Sequence, residues 1–213
     1  MSVLLCAPGV SIRKPDEVAI AIKSAAVVWV DFLMTSGQYR HMALPPYCPG
    51  IEYSGVVVAA GSAVDTRSIT IGYGVFSDLI TAGPRSGGAY QGAGGYASYA
   101  VLPAHALHRI PPGYSFDEAC NLLGNYETAW HCLVARGQLL AGETVQINCA
   151  SGASGMAAAQ MAKLLGATVI ATGRSDAKLT TVKAFGADHV INTGGSATRA
   201  MLVSMTVPVL MTH

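Results

Sequence analysis

Chemistry in this chain concentrates at Ala150-Ser151-Gly152-Ala153-Ser154-Gly155, an A-x-G-x-x-G spacing between a strand-like run, Thr144 to Cys149, and a helix-like run, Gly155 to Leu165. A glycine at the third position lets backbone approach a pyrophosphate, and one at the sixth lets the helix close on the strand. The helix start then offers unpaired N–H groups and a partial positive charge to phosphate oxygens. Alanine at the first position leaves a plain strand-to-helix turn without a ligand as the alternative. The next strand pattern closes at Thr172, where an acidic residue would bind ribose hydroxyls. The chain has Gly173-Arg174-Ser175 there instead, followed by Lys178. Arg174, Ser175 and Lys178 can surround a 2′-phosphate with positive charge and donors, which favours NADP(H) over NAD(H). The alternative for Arg174 and Lys178 is a solvated helix start. Asp176 reads as the cap of the following helix.

The other reactive side chains form weaker constellations. Cys6, Cys48, Cys120, Cys132 and Cys149 are scattered, with no C-x-x-C pair and no Cys/His cluster. Neither a disulfide framework nor a zinc site is expected, and a reducing compartment is the simpler setting. Cys149 is expected to be a buried strand-end thiol, although a helix start beside it could lower its pKa. His105 and His108, beside Arg109, read as structural histidines. Tyr126, Trp130 and Leu133 recur at helical spacing and read as core.

The elements that must position these residues change character near residue 115. Before it, short β-rich runs (17–22, 55–61, 96–101) alternate with Pro45-Pro46, Pro49-Gly50, Gly94-Gly95 and Pro111-Pro112-Gly113, the pattern of a small, partly open barrel. Gly83 to Gly95 reads as a long flexible loop. After it, Ser115 followed by Glu118 is a capping box that opens a helix. A second helix is expected over Tyr126 to Arg136, stopping at Gly137. Strands 144–149, 168–172 and 188–191 then alternate with helices 155–165 and 176–185, which stop at Gly166 and Gly186. This β-α-β-α-β order implies a parallel sheet. The expected domains are therefore residues 1–114 and 115–213.

Composition narrows the classes. With 213 residues, 51% of them hydrophobic and 12% charged, the chain can build a substantial core. Thirteen basic against twelve acidic residues, a net charge of +1, leave no basic footprint for nucleic acid or acidic lipid. The apolar runs at 25–30 and 201–211 fall short of the roughly 20 residues of a membrane span. No basic segment precedes the first apolar run, so no signal peptide is expected. These readings suggest a soluble, cytoplasmic protein with a small-molecule partner, no nucleic acid and no membrane; a homodimer is left open.

Several runs resemble the medium-chain dehydrogenases/reductases. Pro49-Gly50-Ile51-Glu52-Tyr53-Ser54-Gly55, continuing to Gly61, resembles their P-G-x-E-x-x-G-x(5)-G signature, and Gly94-Gly95-Tyr96-Ala97-Ser98-Tyr99-Ala100 resembles their G-G-[YF]-A-E-Y-A strand. Cys149 to Gln160 and Ala167 to Asn192 are similar to the cofactor half of the quinone oxidoreductase, or ζ-crystallin-like, branch. The resemblance implies a GroES-like, partly open β-barrel followed by an incomplete Rossmann domain. It implies NADP(H) held by Ala150, Ser151, Gly152, Ala153, Ser154, Gly155, Gly173, Arg174, Ser175 and Lys178. It places Tyr39 and Thr128 near the nicotinamide as the catalytic pair, each with an ordinary alternative: a half-buried anchor for Tyr39, a backbone-bonding helix residue for Thr128. Zinc-dependent relatives carry His where this chain has Ile51 and use further cysteines, so the resemblance implies no metal. The implied activity is hydride transfer to a quinone or α,β-unsaturated carbonyl compound.

The chain also departs from that pattern. Val28 stands where the family has asparagine, although Asp31 is kept. Gly72-Tyr73-Gly74-Val75 replaces a G-D-R-V turn and loses its acid-base pair, and Thr193 stands where a tyrosine is usual. The pattern fades after Asn192 and lacks a first strand, as in a member truncated at both ends, and a half-sheet would leave an exposed edge. A catalytically silent fragment that keeps at most cofactor binding or an association role is the competing reading. A short-chain dehydrogenase is disfavoured, because no Tyr-x-x-x-Lys pair is present.

Overall fold

The computed structural model describes residues 11–41 and 43–195. Cys6 and the apolar tail from Ala200 lie outside them. The chain divides into two compact units, Met1–Leu123 and Gly124–His213.

The first unit is built on one antiparallel sheet. Its strands are β1 (Glu17–Ala25), β2 (Tyr53–Ala60), β3 (Gly74–Ser77), β4 (Tyr99–Pro103) and β5 (Leu107–Arg109), in the order β4-β1-β2-β3-β5. Val18, Ile20, Tyr53, Val57, Val75 and Leu102 fill its core, so the β-branched runs read from the sequence supply both strand propensity and burial. One helix, α1 (Trp29–Thr35), follows β1 and leads to Tyr39. Val28 caps α1 without a side-chain bond. Asp31 does that work instead: its carboxylate accepts from the Val28 N–H at 3.2 Å, and from the Gly50 and Ile51 N–H groups at 3.2 and 3.0 Å. The Tyr96 hydroxyl lies 3.1 Å from the same carboxylate. Burial first, and then the Asp31 charge, push that phenol up to about 12.

The two glycine-rich motifs of the barrel clasp one another. Gly95 N–H donates to Gly50 O at 2.8 Å and Tyr96 N–H to Pro49 O at 2.9 Å. The approach is so close that a Cβ on Gly94 would lie 1.8 Å from the Cys48 carbonyl oxygen. Between them, the loop expected to be flexible is fastened. Tyr53 donates to Ala93 O at 2.7 Å, and Tyr90 donates to Glu17 at 3.0 Å. The lost acid-base turn is also replaced: the Arg109 guanidinium on β5 sits over the Tyr73 ring, 4.1 Å from its centroid.

Glu17 gives this unit an acid sensitivity. Burial alone would raise its carboxyl, but the N–H groups of Arg13 and Lys14, at 2.7 and 3.0 Å, together with Tyr90, outweigh burial and hold it below the ordinary range. A carboxyl with a depressed folded-state pKa contributes stability that is full above its unfolded value and is lost as pH falls through its folded value. Urea unfolding followed over a pH series is expected to show stability falling below the unfolded value of 4.5. In Glu17→Gln that acid-side slope should be shallower; an identical slope would contradict the assignment.

The capping box at Ser115 forms as read, opening α2 (Phe116–Ala119). It belongs to the barrel unit, because Ser54 Oγ donates to Phe116 O at 2.7 Å and the Phe116 ring covers Gly74. The division between units therefore falls at 123/124, later than the expected 114/115.

The second unit holds a parallel sheet, β6 (Thr144–Ile147), β7 (Thr168–Gly173) and β8 (His189–Asn192), in the order β6-β7-β8. Helix α4 (Ala153–Leu164) connects β6 to β7, and α5 (Asp176–Ala184) connects β7 to β8. Ala150, Ala159, Ala162, Ala167 and Ala171 pack with Val169 and Val182, and small residues let the helices lie close on the sheet. Before the sheet, α3 (Leu122–Trp130) runs into a π-helical turn, His131–Arg136, and ends at Gly137. The expected single helix over 126–136 is thus two segments with different hydrogen-bond spacing. Trp130 is 52% exposed, so of the expected core trio Leu133 is buried, Tyr126 half-buried and Trp130 turned outward. Among the described residues, no helix is long and apolar enough to cross a membrane.

Candidate functional site

The A-x-G-x-x-G run follows β6 and enters α4, whose first three residues are Ala153, Ser154 and Gly155. Ala150 is buried and its N–H donates to Thr172 O at 3.0 Å, tying the turn to the end of β7. Ser151 is half-buried, while Gly152, Ala153 and Ser154 are exposed. Gly152 caps α4 in extended conformation without a side-chain bond, and Met156 N–H makes the first intrahelical bond, to Gly152 O at 2.8 Å. The N–H groups of Ala153, Ser154 and Gly155 are therefore not used by the helix ladder and stand at its positive end. Gly155 sits against backbone: a Cβ there would meet Cys149 O at 2.7 Å and Ala150 Cα at 2.8 Å.

Cys149 differs from its expectation. It is exposed, not buried, and adopts a left-handed backbone with φ 53°. The reason is local: β6 ends at Ile147, and Cys149 belongs to the turn, its carbonyl accepting from Gly152 N–H at 2.9 Å.

At the end of β7, Gly173 is buried against Leu179, Arg174 and Lys178 are exposed, and Ser175 is half-buried. Ser175, not Asp176, caps α5, and it does so without a side-chain bond. Asp176 instead accepts from Asn192 Nδ2 at 2.7 Å, so its charge is directed to the end of β8. Asn148, at the end of β6, accepts from Thr172 Oγ1 at 3.0 Å. These bonds fix the strand ends from which both loops spring.

The two hydroxyls named from the resemblance lie in different units. Tyr39 is half-buried beside Met34, Ala43 and Ile51, its ring edge-on to His41 with centroids 6.3 Å apart. Thr128 is exposed on α3 and donates to Gly124 O at 2.7 Å. His105 and His108 are exposed, and the His108 ring packs on Phe76. Among the described residues, no group of three or more His, Cys, Asp or Glu side chains is placed to hold a metal ion. Sequence reasoning missed Asn125: it lies on α3 and accepts from Ser154 Oγ at 3.0 Å, a long-range contact with no local signal.

Comparison with known proteins assigns both segments. Residues 14–112 match the alcohol dehydrogenase GroES-like domain, and residues 153–208 match the family described as zinc-binding dehydrogenase. A quinone oxidoreductase-like protein 2 homolog from Nematostella vectensis is 34% identical over 178 residues, covering 83% of this chain and 45% of the relative. The quinone oxidoreductase of Thermus thermophilus, solved also in complex with NADPH, superposes with a TM-score of 0.72 at 28% identity, over 91% of this chain and 57% of that one. An NAD-dependent alcohol dehydrogenase gives a TM-score of 0.79 at 30% identity, over 94% and 62%. The antiparallel sheet followed by a parallel one thus has the order of a GroES-like domain and a Rossmann-like domain. The chain spans about half the length of the curated relatives it matches.

Proposed function

The chain belongs to the medium-chain dehydrogenase/reductase family, and from that premise we propose that it serves the NADPH-dependent reduction of a quinone or an α,β-unsaturated carbonyl compound. The observation that carries the reading is the bare start of α4, where the helix ladder leaves three N–H groups unused and no side chain caps the helix. That end holds the diphosphate, and the absence of a side chain on Gly152 lets it come close. Arg174, Ser175 and Lys178 hold the 2′-phosphate with charge and donors. The bound nicotinamide supplies a hydride to an already electrophilic carbon, chemistry that needs no Lewis acid.

The chain's own hydroxyls divide the remaining work. Thr128 gives its one proton to Gly124 O, so its oxygen is left as an acceptor and suits the carboxamide N–H of a nicotinamide. Tyr39 has a phenolic proton to donate and suits the substrate oxygen, with solvent as the other proton source. Arg174 and Lys178 carry the preference for NADPH, and the NADPH complex of the Thermus relative supports it. The NAD-dependent alcohol dehydrogenase named above supports only the fold. A reducing cytoplasm suits the free thiols of Cys48, Cys120, Cys132 and Cys149.

A second reading rests on Val28, which stands where the family has asparagine and removes a polar group: the chain binds the cofactor without turning it over. Titrating the 213-residue chain with NADPH, by tryptophan quenching and nicotinamide fluorescence, and then adding a quinone and following absorbance, separates the two. Saturable binding with quinone-dependent oxidation is the expected result. Binding without oxidation favours the silent reading, and no binding overturns both.

A further inference from the structure

We infer that Asn125 is a positioning residue for the diphosphate, acting through Ser154, and that its side chain must be a neutral amide; this rests on the NADPH reading above. Ser154 stands in the first turn of α4, among the three residues whose N–H groups the helix leaves unused. Its hydroxyl has one proton, which it gives to Asn125 Oδ1 at 3.0 Å. The Tyr126 hydroxyl, one residue further along α3, donates to Gln160 Oε1 of α4, so the two helices are joined at two places. The join near the turn is therefore anchored rather than incidental.

The choice of amide matters chemically. An anion at the start of α4 competes for the Ser154 proton, because a phosphate oxygen is the stronger acceptor. An amide can meet that change by turning, so that its nitrogen donates to Ser154 Oγ while the hydroxyl donates to the anion. A carboxylate cannot: it accepts only, keeps the proton from the anion, and adds a like charge. That charge would lie beside the Ser154 hydroxyl, which is 3.0 Å from Asn125 Oδ1, and so inside the roughly 8 Å over which salt does not screen it. Asn125 also shares α3 with Thr128, one turn away, so the same join holds the Thr128 oxygen in register with the phosphate turn.

The test compares Asn125→Asp and Asn125→Ala with the wild-type chain in NADPH titrations at low and high salt. Asn125→Asp keeps an acceptor for Ser154, so its melting temperature should stay close to wild type while NADPH binds about tenfold more weakly at low salt, a gap that narrows as salt rises. Asn125→Ala removes the bond without adding charge and should weaken binding by about threefold at every salt concentration. A purely structural asparagine predicts the opposite order, with the aspartate variant binding like wild type, and that result overturns the inference. Unchanged affinity in the alanine variant overturns it even if the aspartate variant does not fold. Failure of the wild-type chain to bind NADPH overturns the cofactor reading and this inference together.

Discussion

Gly155→Ala is expected to abolish NADPH binding and to destabilise the second unit, whereas Gly152→Ala is expected to lose binding and stay folded. The two glycines differ in what a methyl group would meet. At Gly155 the new carbon lies 2.7 Å from Cys149 O, 2.8 Å from Ala150 Cα and 3.1 Å from Ala150 C, all of them backbone atoms. No rotamer change relieves that overlap, so α4 must move off the turn, at a cost of about 1–3 kcal/mol and the alignment of its N–H groups. At Gly152 the nearest neighbour is Cys149 O at 3.4 Å, and φ of −79° suits any residue. An alanine there is a poorer cap than glycine and forfeits about 0.5–1 kcal/mol, with no backbone overlap to relieve. Under the proposed function, its methyl group nevertheless stands in the path of the diphosphate. Thermal melts should fall further for Gly155→Ala than for Gly152→Ala, which loses only a cap, with NADPH quenching lost in both. Retained binding in Gly152→Ala would remove the turn from the cofactor site.

Much of this geometry was legible because glycine spacing and strand alternation are local signals. The run 144–149 is apolar at alternate positions and abuts a glycine-rich turn, so strand, turn and helix could be read with little shift in bounds. The barrel motifs were legible as a resemblance, but not their reason. That lies in the clasp of residues 49–50 with 95–96, an approach of two segments more than forty residues apart. The π-helical turn at His131–Arg136 was not legible: its composition is ordinary helix, and the wider hydrogen-bond spacing reflects how the chain reaches Gly137 and Leu139. Trp130 and Cys149 failed for a shared reason. Residue type sets a preference for burial, but only tertiary neighbours provide cover, and neither side chain receives it. Asp176 had an equally good partner in Asn192, which lies sixteen residues away and across a helix.

Removing both Arg174 and Lys178 should convert a chain that prefers NADPH into one that does not distinguish it from NADH. The end of β7 brings the backbone close, through Gly173 buried against Leu179, and is followed by two exposed cations, Arg174 just before the Ser175 cap and Lys178 in the first turn of α5. Ser175 caps α5 without a side-chain bond, so its hydroxyl is not committed to the helix start. Asp176 would repel a phosphate in the same place, but its carboxylate is held to Asn192 at the end of β8. A 2′-phosphate adds close to two negative charges, and each charge-assisted contact to an exposed cation contributes on the order of tenfold in affinity. The double alanine variant should therefore bind NADPH about 30- to 100-fold more weakly at low salt, with the difference shrinking as salt rises. NADH lacks the phosphate and should bind the variant and the wild type alike. Both cations lie on the surface, so melting temperature should change little. If NADPH affinity survives the double substitution, or if NADH affinity falls in parallel, these cations act on the fold or on solvent, and the preference for NADPH must be sought elsewhere in the chain.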